Sequence, residues 1–210
     1  MKILPMFFVS LSLSCPLIAR AAPQNDGAEP PAQFTLQING KVTPVTLDKE
    51  FSLDGKPGRV RYLLSRAATR RFDKSGVKFD YPTDYGFEAD LKNPRTAIWT
   101  LNGRSSLLML QRFPLSGPAL LREQMVKELV KQYGSKNVVV RPASLFLGGR
   151  EVEGKRLHVS LAKQRLVQEI FAFSNQKYAF VLMIQDAPVG GKESAETRKL
   201  KTLLSSSAIY

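Results

Sequence analysis

The chain is poor in the residues that supply most enzymatic and metal chemistry. Its 210 residues include one cysteine, Cys15, and one histidine, His158. An internal disulfide needs two cysteines, and a structural zinc site needs several Cys or His ligands close together. The composition therefore excludes an internally disulfide-stapled or zinc-held domain and leaves few candidates for catalysis.

Acidic residues are scarce relative to basic ones. The sequence holds 31 Lys and Arg residues against 18 Asp and Glu residues, a formal net charge of +13. Hydrophobic residues make up 43% of the chain, which is typical of a globular protein and not of a disordered one. A charged partner of such a chain is expected to be anionic.

Residues 1–21 have the pattern of a secretory signal peptide. Met1 and Lys2 form a short positive start, residues 3–18 are mainly apolar, and residues 19–21 match the small-x-small pattern of a cleavage site. We expect cleavage after residue 21, a periplasmic or secreted mature protein, and no transmembrane segment after that cleavage.

Cys15 leaves one alternative open, a lipoprotein that is anchored through an acylated cysteine. The lipoprotein pattern has a leucine three positions before the cysteine, whereas Leu13 lies two positions before Cys15. If the signal peptide is removed, the mature chain contains no cysteine, and its core has to hold the fold without a disulfide.

The start of the mature chain divides into a predicted leader and a predicted β-rich extension. Residues 22–32 contain three prolines and no large apolar side chain, which predicts a flexible leader. In the extension, residues 33–72, apolar side chains alternate in residues 34–38, and the dipeptide Asn39-Gly40 is a hairpin signal. Alternation in residues 59–64 predicts a further strand with Tyr62 and Leu64 on its covered side.

From residue 73 onward the pattern predicts antiparallel strands and two amphipathic helices. The first helix begins near Pro118 and ends at Gly134, with a stripe of Leu121, Met125, Leu129 and Tyr133. The second helix is predicted over residues 194–204. The predicted strands cover residues 76–82, 96–101, 106–113, 138–140, 156–161, 166–173 and 178–184.

This order of parts resembles the PsbP/DcrB-type domain over about residues 73–210. The resemblance includes the segment Gly76–Pro82, Tyr85, two strands, a central helix, a four-stranded meander and a final helix that ends in Leu203-Leu204-Ser205-Ser206. It implies an α+β fold in which an antiparallel β-sheet is flanked by helices, with residues 33–72 as an addition. It also implies a small accessory or binding module of the kind found in the bacterial periplasm.

His158 is the first candidate for chemistry. In residues 156–161 the alternation assigns Leu157 and Val159 to the core face and His158 to the other face. We expect a solvated or helix-covered histidine. The alternative is an envelope hydrolase in which His158 acts with a nearby serine.

The acidic side chains Asp80, Asp84, Glu88 and Asp90 are interleaved with aromatic residues. Carboxylates suit calcium, but their spacing does not match the EF-hand loop. The pattern favours packed aromatic residues with solvated acids between them, and we predict neither a metal site nor a cofactor.

Basic residues are dense between residues 56 and 74, where arginine predominates. Guanidinium groups bind carboxylates and phosphates through paired hydrogen bonds. The chain is therefore expected to be a non-enzymatic accessory or binding protein whose partner is an envelope protein, an anionic polymer or lipid headgroups, and not nucleic acid. The alternative is a solvated basic face that only favours solubility. The predicted contact residues are Arg59, Arg61, Arg66, Arg70 and Arg71.

Overall fold

The computed structural model describes residues 26–45, 62–161, 164–188 and 190–210. In these ranges the chain has an α+β fold made of antiparallel sheets and two α-helices. No helix within the described ranges combines the length and the apolar character needed to cross a membrane. The predicted signal peptide, Cys15, leader residues 22–25, Arg59 and Arg61 lie outside the described residues.

The described ranges contain thirteen strands, two α-helices and one 3-10 turn. They are β1 (Phe34–Ile38), β2 (Lys41–Val45), β3 (Tyr62–Arg66), β4 (Thr69–Lys74), β5 (Val77–Pro82), β6 (Gly86–Asp90), β7 (Ala97–Asn102), β8 (Ser106–Pro114), α1 (Pro118–Tyr133), a 3-10 turn (Ser135–Asn137), β9 (Val138–Leu147), β10 (Arg150–Leu161), β11 (Gln164–Ser174), β12 (Tyr178–Asp186), α2 (Ala195–Ser205) and β13 (Ala208–Ile209).

A seven-stranded antiparallel sheet forms the centre of the molecule, in the order β6-β7-β8-β12-β11-β10-β9. Successive side chains of a strand point to opposite faces, and both faces of this sheet carry a hydrophobic core. Phe171 and Leu182 belong to one core, whereas Leu157 and Val181 belong to the other. Six consecutive residues are therefore buried in each of β11 and β12.

Helix α1 covers one face of the sheet, as the sequence predicts. Pro118 stands in the first turn, where its missing N–H costs nothing, and Gly134 ends the helix with a φ of +82°. Val126 is buried, and Leu121 and Leu129 pack half-buried against the same core. The predicted stripe is thus confirmed, with Val126 at its centre.

The other face is covered by α2 and by a small sheet in the order β13-β5-β4. Phe72 on β4 is fully buried, stacks on Phe79 at 4.7 Å between ring centroids and meets the edge of Trp99 at 5.5 Å. A domain boundary between residues 72 and 73 would divide the β4–β5 hairpin, which pairs residues 69–74 with residues 77–82. The hairpin joins the end of the predicted extension to the main core.

The remaining small sheet has the order β2-β1-β3. Asn39 and Gly40, with φ values of 47° and 89°, form the predicted turn between β1 and β2. The prediction that Tyr62 and Leu64 lie on a covered side of β3 is wrong, because these side chains are 61% and 57% exposed. Every residue of β3 is exposed, so alternation in this segment does not mark a buried face.

Residues 26–30, which we call the N-terminal strap, lie on the main domain. The indole nitrogen of Trp99 donates a 2.7 Å hydrogen bond to the carbonyl oxygen of Asp26, Arg70 forms an ion pair with Glu29, and Pro30 is buried. These residues fall within the predicted flexible leader, residues 22–32, and polar contacts join them to the domain although they have no large apolar side chain. The flexibility of the leader stays a prediction.

Candidate functional site

Strand register brings the single histidine together with several charged residues. Arg141 on β9 lies directly opposite Arg156 on β10, which lies opposite Glu169 on β11. Two positions along β10, His158 lies between Val139 and Val167. Because these positions differ by two along β10, Arg156 and His158 share one face of the sheet.

Arg156, His158 and Val167 border a cavity of about 230 Å³, which we call the histidine cleft. It lies on the face of the sheet that also carries α2. Its lining consists of Arg156, His158, Val167, Asp186, Pro188, Gly191 and Glu193.

A buried carboxylate balances part of the positive charge beside the cleft. Glu169 is only 3% exposed, and its Oε1 accepts a 2.6 Å hydrogen bond from Nε of Arg156. The Nζ of Lys201 lies 2.6 Å from Oε2 of Glu169 and 2.5 Å from Oε1 of Glu193. This ion-pair network holds Lys201 half-buried at the side of α2.

Asp186 uses both of its carboxylate oxygens to anchor α2. Oδ1 accepts a 2.8 Å hydrogen bond from the hydroxyl of Thr197, and Oδ2 accepts a 3.2 Å bond from the backbone N–H of Ser194. The Ser194 hydroxyl in turn caps the helix by accepting from the Thr197 N–H at 3.1 Å. Asp186, which lies opposite Val167 in the same register row as His158, therefore serves the helix and not the imidazole.

Burial and two neighbouring arginines act on the pKa of His158 in the same direction. Burial lowers the pKa of His158 below its ordinary value of 6.5, and the charges of Arg141 and Arg156 lower it further, against a smaller opposing effect of Glu169. The imidazole is consequently neutral at pH 7. Arg165 on β11 lies opposite Ser160, two positions before Val167 and on the same face. Arg141 and Arg165 are exposed, and neither forms an ion pair within the described part of the chain.

The cleft offers cationic groups but no assembled nucleophile. Among the described residues, no serine or threonine hydroxyl is hydrogen-bonded to the His158 ring. Nucleophilic catalysis by serine needs such a contact, with a third group to orient the base. The arrangement is suited to holding an anion next to Arg141, Arg156 and His158.

The predicted arginine site is not assembled as one exposed face in the described residues. Arg66 is exposed on β3, whereas Arg70 is buried and paired with Glu29. Arg71 points to the opposite side of β4 and forms two hydrogen bonds with Asp80, at 2.8 and 3.1 Å. Each of these two β4 arginines already has a carboxylate partner from the chain itself.

The acidic segment around β5 and β6 is likewise dispersed. Asp80 pairs with Arg71, and the Oε1 of Glu88 accepts a 3.2 Å hydrogen bond from the Asn102 side chain. In the ranges that the structure describes, no three Asp, Glu, His or Cys side chains are grouped so that they could hold a metal ion.

Sequence reasoning missed the contribution of Arg141 and Arg165. The alternation of residues 138–140 indicated a short strand, but β9 continues to Leu147 and therefore includes Arg141. Only the pairing of β9 with β10 places that side chain opposite Arg156, and such pairing has no local signal in the sequence.

Comparisons with known proteins identify no family. No family model matches the chain, and no curated protein is significantly similar to it. The chain is similar to a protein from Bacteroides thetaiotaomicron VPI-5482 in a crystal structure, with 11% sequence identity and a TM-score of 0.44. The match covers 69% of this chain and 49% of that one, so this chain spans about half the length of its structural neighbour.

Proposed function

We propose that this chain is an exported, non-enzymatic accessory protein that binds an anionic partner through the histidine cleft and the adjoining Arg141 and Arg165. The observation that carries the proposal is the direct opposition of Arg141 and Arg156 across β9 and β10. Like charges in directly opposite positions of an antiparallel pair disfavour folding, by roughly 0.2 to 1 kcal/mol. Glu169 compensates Arg156 only, and a bound carboxylate or phosphate would pair with Arg141, which forms no ion pair within the described residues.

The proposal also includes a specific fold type and an exported location, which go beyond the observed α+β class. A central antiparallel sheet with α1 on one face and α2 on the other supports a PsbP/DcrB-like sandwich. The pattern of residues 1–21 supports export to the periplasm or the medium. The candidate partners are an acidic envelope protein, an anionic polymer or lipid headgroups, and nucleic acid is not among them.

Two alternative functions predict different experimental results from those of a binding protein. A hydrolase that uses His158 would show turnover of an ester, amide or glycan substrate that is lost in His158→Ala, and the engagement of Asp186 by α2 argues against it. A lipid-anchored protein would carry acyl mass on Cys15, which the intact mass of the mature protein would reveal.

Charge reversal tests the proposed site. The variant Arg141→Glu/Arg165→Glu changes two exposed residues beside the cleft, and Lys127→Glu/Lys131→Glu changes two exposed residues of α1 on the other side of the sheet. The probes are phosphatidylglycerol vesicles and poly-L-glutamate at 50 and 500 mM salt. We expect the first variant to lose about tenfold in affinity at low salt, since each exposed contact contributes about 1 kcal/mol or less.

The control variant should bind nearly as well as the unaltered protein. High salt should weaken binding of the unaltered protein, because the screening length falls to roughly 4 Å at 500 mM. Equal losses in the two variants would assign binding to net charge alone. Unchanged binding in the first variant would contradict the proposed site.

A further inference from the structure

The N-terminal strap lies over two buried or half-buried arginines at the end of the sheet remote from the histidine cleft. Register places Arg112 near one end of β8, opposite Phe180, whereas the other end pairs Ser106 with Asp186 at the cleft. Arg70 and Arg112 are 10% and 15% exposed at their side chains. The surface under the strap and the histidine cleft therefore lie at opposite ends of β8, and a function of this surface does not depend on the function proposed for the cleft.

The strap binds this surface through its two carboxylates and one backbone carbonyl. Nη1 of Arg112 donates to Oδ2 of Asp26 at 3.3 Å, and the Ser75 hydroxyl donates to the same oxygen at 3.3 Å. Glu29 takes the ion pair with Arg70. We call the surface formed by Arg70, Ser75, Trp99 and Arg112 the strap groove.

Several contacts besides the strap hold Arg112 in the groove. Its guanidinium group lies 4.7 Å from the ring centroid of Tyr178 and 5.8 Å from that of Trp99, and its Nη1 donates to the Ser75 hydroxyl at 2.8 Å. None of these three partners belongs to the strap.

The strap does not use all of the hydrogen-bonding capacity of the groove. The buried Nε atoms of Arg70 and Arg112 have no hydrogen-bond partner within the described residues. A cavity of about 470 Å³ continues past Asp26, and Lys177 lies in its lining. Lys177 is exposed and has no ion pair in the part of the chain that is described, so the cavity beside Asp26 carries a cation that the strap does not pair.

We propose that the strap groove is a recognition site for an extended acidic peptide segment of a partner protein, with carboxylates three residues apart. The strap, with Asp26 and Glu29 at that spacing, is the ligand that the chain itself supplies. A partner segment with a further carboxylate would reach Lys177 and would displace the strap. Buried charged donors without partners are costly, so an added acceptor at the Nε atoms would favour the foreign segment.

The single tryptophan reports on the strap, because the indole N–H of Trp99 is bonded to the Asp26 carbonyl. The test uses the full mature chain and the variant Asp26→Asn/Glu29→Gln, which keeps the shape of the strap and removes its charge. Glu151→Gln/Glu153→Gln, at exposed positions of β10, is the matched control. The probes are a peptide with the sequence of residues 25–32 and its Asn/Gln counterpart.

We expect the acidic peptide to bind the strap variant about tenfold more tightly than it binds the unaltered chain, because a tethered strap competes at a local concentration in the millimolar range. Tryptophan emission should change in the strap variant and return toward that of the unaltered chain as the acidic peptide binds. The control variant should behave like the unaltered chain, and adding Arg112→Gln to the strap variant should abolish binding.

Equal affinity of the acidic peptide for the unaltered chain and the strap variant would overturn the proposal. Equal binding of the neutral peptide would overturn it as well. If the strap variant does not fold alone, the proposal requires the acidic peptide to restore its thermal transition, and failure to do so would also refute it. We expect the charge-reversal variant Arg141→Glu/Arg165→Glu at the histidine cleft to leave these results unchanged. Each of the two proposals can therefore be refuted without refuting the other.

Discussion

The Glu196 carboxylate, in the first turn of α2, lies 2.6 Å from the backbone nitrogen of Ser105, in the turn between β7 and β8. It also accepts hydrogen bonds from the Ser105 hydroxyl at 2.7 Å and from the backbone N–H groups of Arg104 and Ser106, both at 3.1 Å. An acidic side chain at a helix N-terminus is further favoured by the helix dipole. This single side chain therefore ties α2 to the central sheet.

Replacing Glu196 by Gln should lower the free energy of unfolding by about 1 to 2 kcal/mol, because hydrogen bonds to a charged acceptor become bonds to a neutral one. Urea denaturation at pH 7 measures the change. Glu151→Gln, at an exposed position of β10, is the control and should change stability by less than about 0.5 kcal/mol.

The stabilising effect of Glu196 should depend on pH. Burial raises the pKa of Glu196, but the hydrogen bonds from Ser105, Arg104 and Ser106 outweigh burial, so the pKa lies below its ordinary value of 4.5. A group whose pKa is lowered by folding stabilises the fold above its ordinary pKa, and this stabilisation is lost as the pH falls through the folded value. The stability difference between the unaltered protein and Glu196→Gln should shrink below pH 4.5, and a constant difference down to pH 2.5 would contradict this account.

Gly154 on β10 should not tolerate a side chain. A Cβ atom at this position would lie 2.4 Å from Cδ1 of Phe171 and 2.7 Å from the carbonyl oxygen of Ile170. Gly154→Ala is therefore expected to destabilise the protein by roughly 1 to 3 kcal/mol or more, because Phe171 is fully buried and cannot move aside freely. Gly117→Ala, where a Cβ would meet nothing within 4 Å, should cost less than about 1 kcal/mol. Thermal melting of both variants checks the contrast.

Two leucines of α1 test the assignment of its buried face. Leu129 packs half-buried on the core under the helix, whereas Leu120 is 62% exposed. Leu129→Ala should cost about 1 to 3 kcal/mol, below the roughly 2 to 5 kcal/mol of a fully buried leucine. Leu120→Ala should change stability by less than about 0.5 kcal/mol. Similar values for the two variants in chemical denaturation would mean that the helix packs through a different face.

His158 should make binding of an anion dependent on pH. Burial and the neighbouring Arg141 and Arg156 hold its pKa below 6.5, so the imidazole gains its positive charge only as the pH falls below that value. Affinity for poly-L-glutamate should rise between pH 7.5 and pH 5.5. His158→Gln should bind with the same affinity at both values, and a persistent pH effect in that variant would assign the effect to another group or to the probe.

The local parts of the fold were predictable because their signals are local. The position of α1 follows from Pro118, Gly134 and the apolar stripe between them, and the β1–β2 turn follows from Asn39-Gly40. These features depend on backbone dihedral preferences and on the period of a helix or strand, which neighbouring residues determine. The same holds for the assignment of His158 to the face opposite Leu157 and Val159.

The charged sites were decided by tertiary structure. Arg70 lies in a basic segment, and the sequence predicts it to be a surface contact residue. In the structure it lies under the N-terminal strap and forms an ion pair with Glu29 of the strap, which is distant in the sequence. Arg141 meets Arg156 only because β9 and β10 adopt one particular register. Sequence by itself determined which residue types were available, where helix and turns begin, and that the chain carries an excess of positive charge. The pairing of distant strands and the docking of residues 26–30 decide which cations have a carboxylate partner within the chain and which remain available to another molecule. No local sequence preference encodes the strand pairing or the docking.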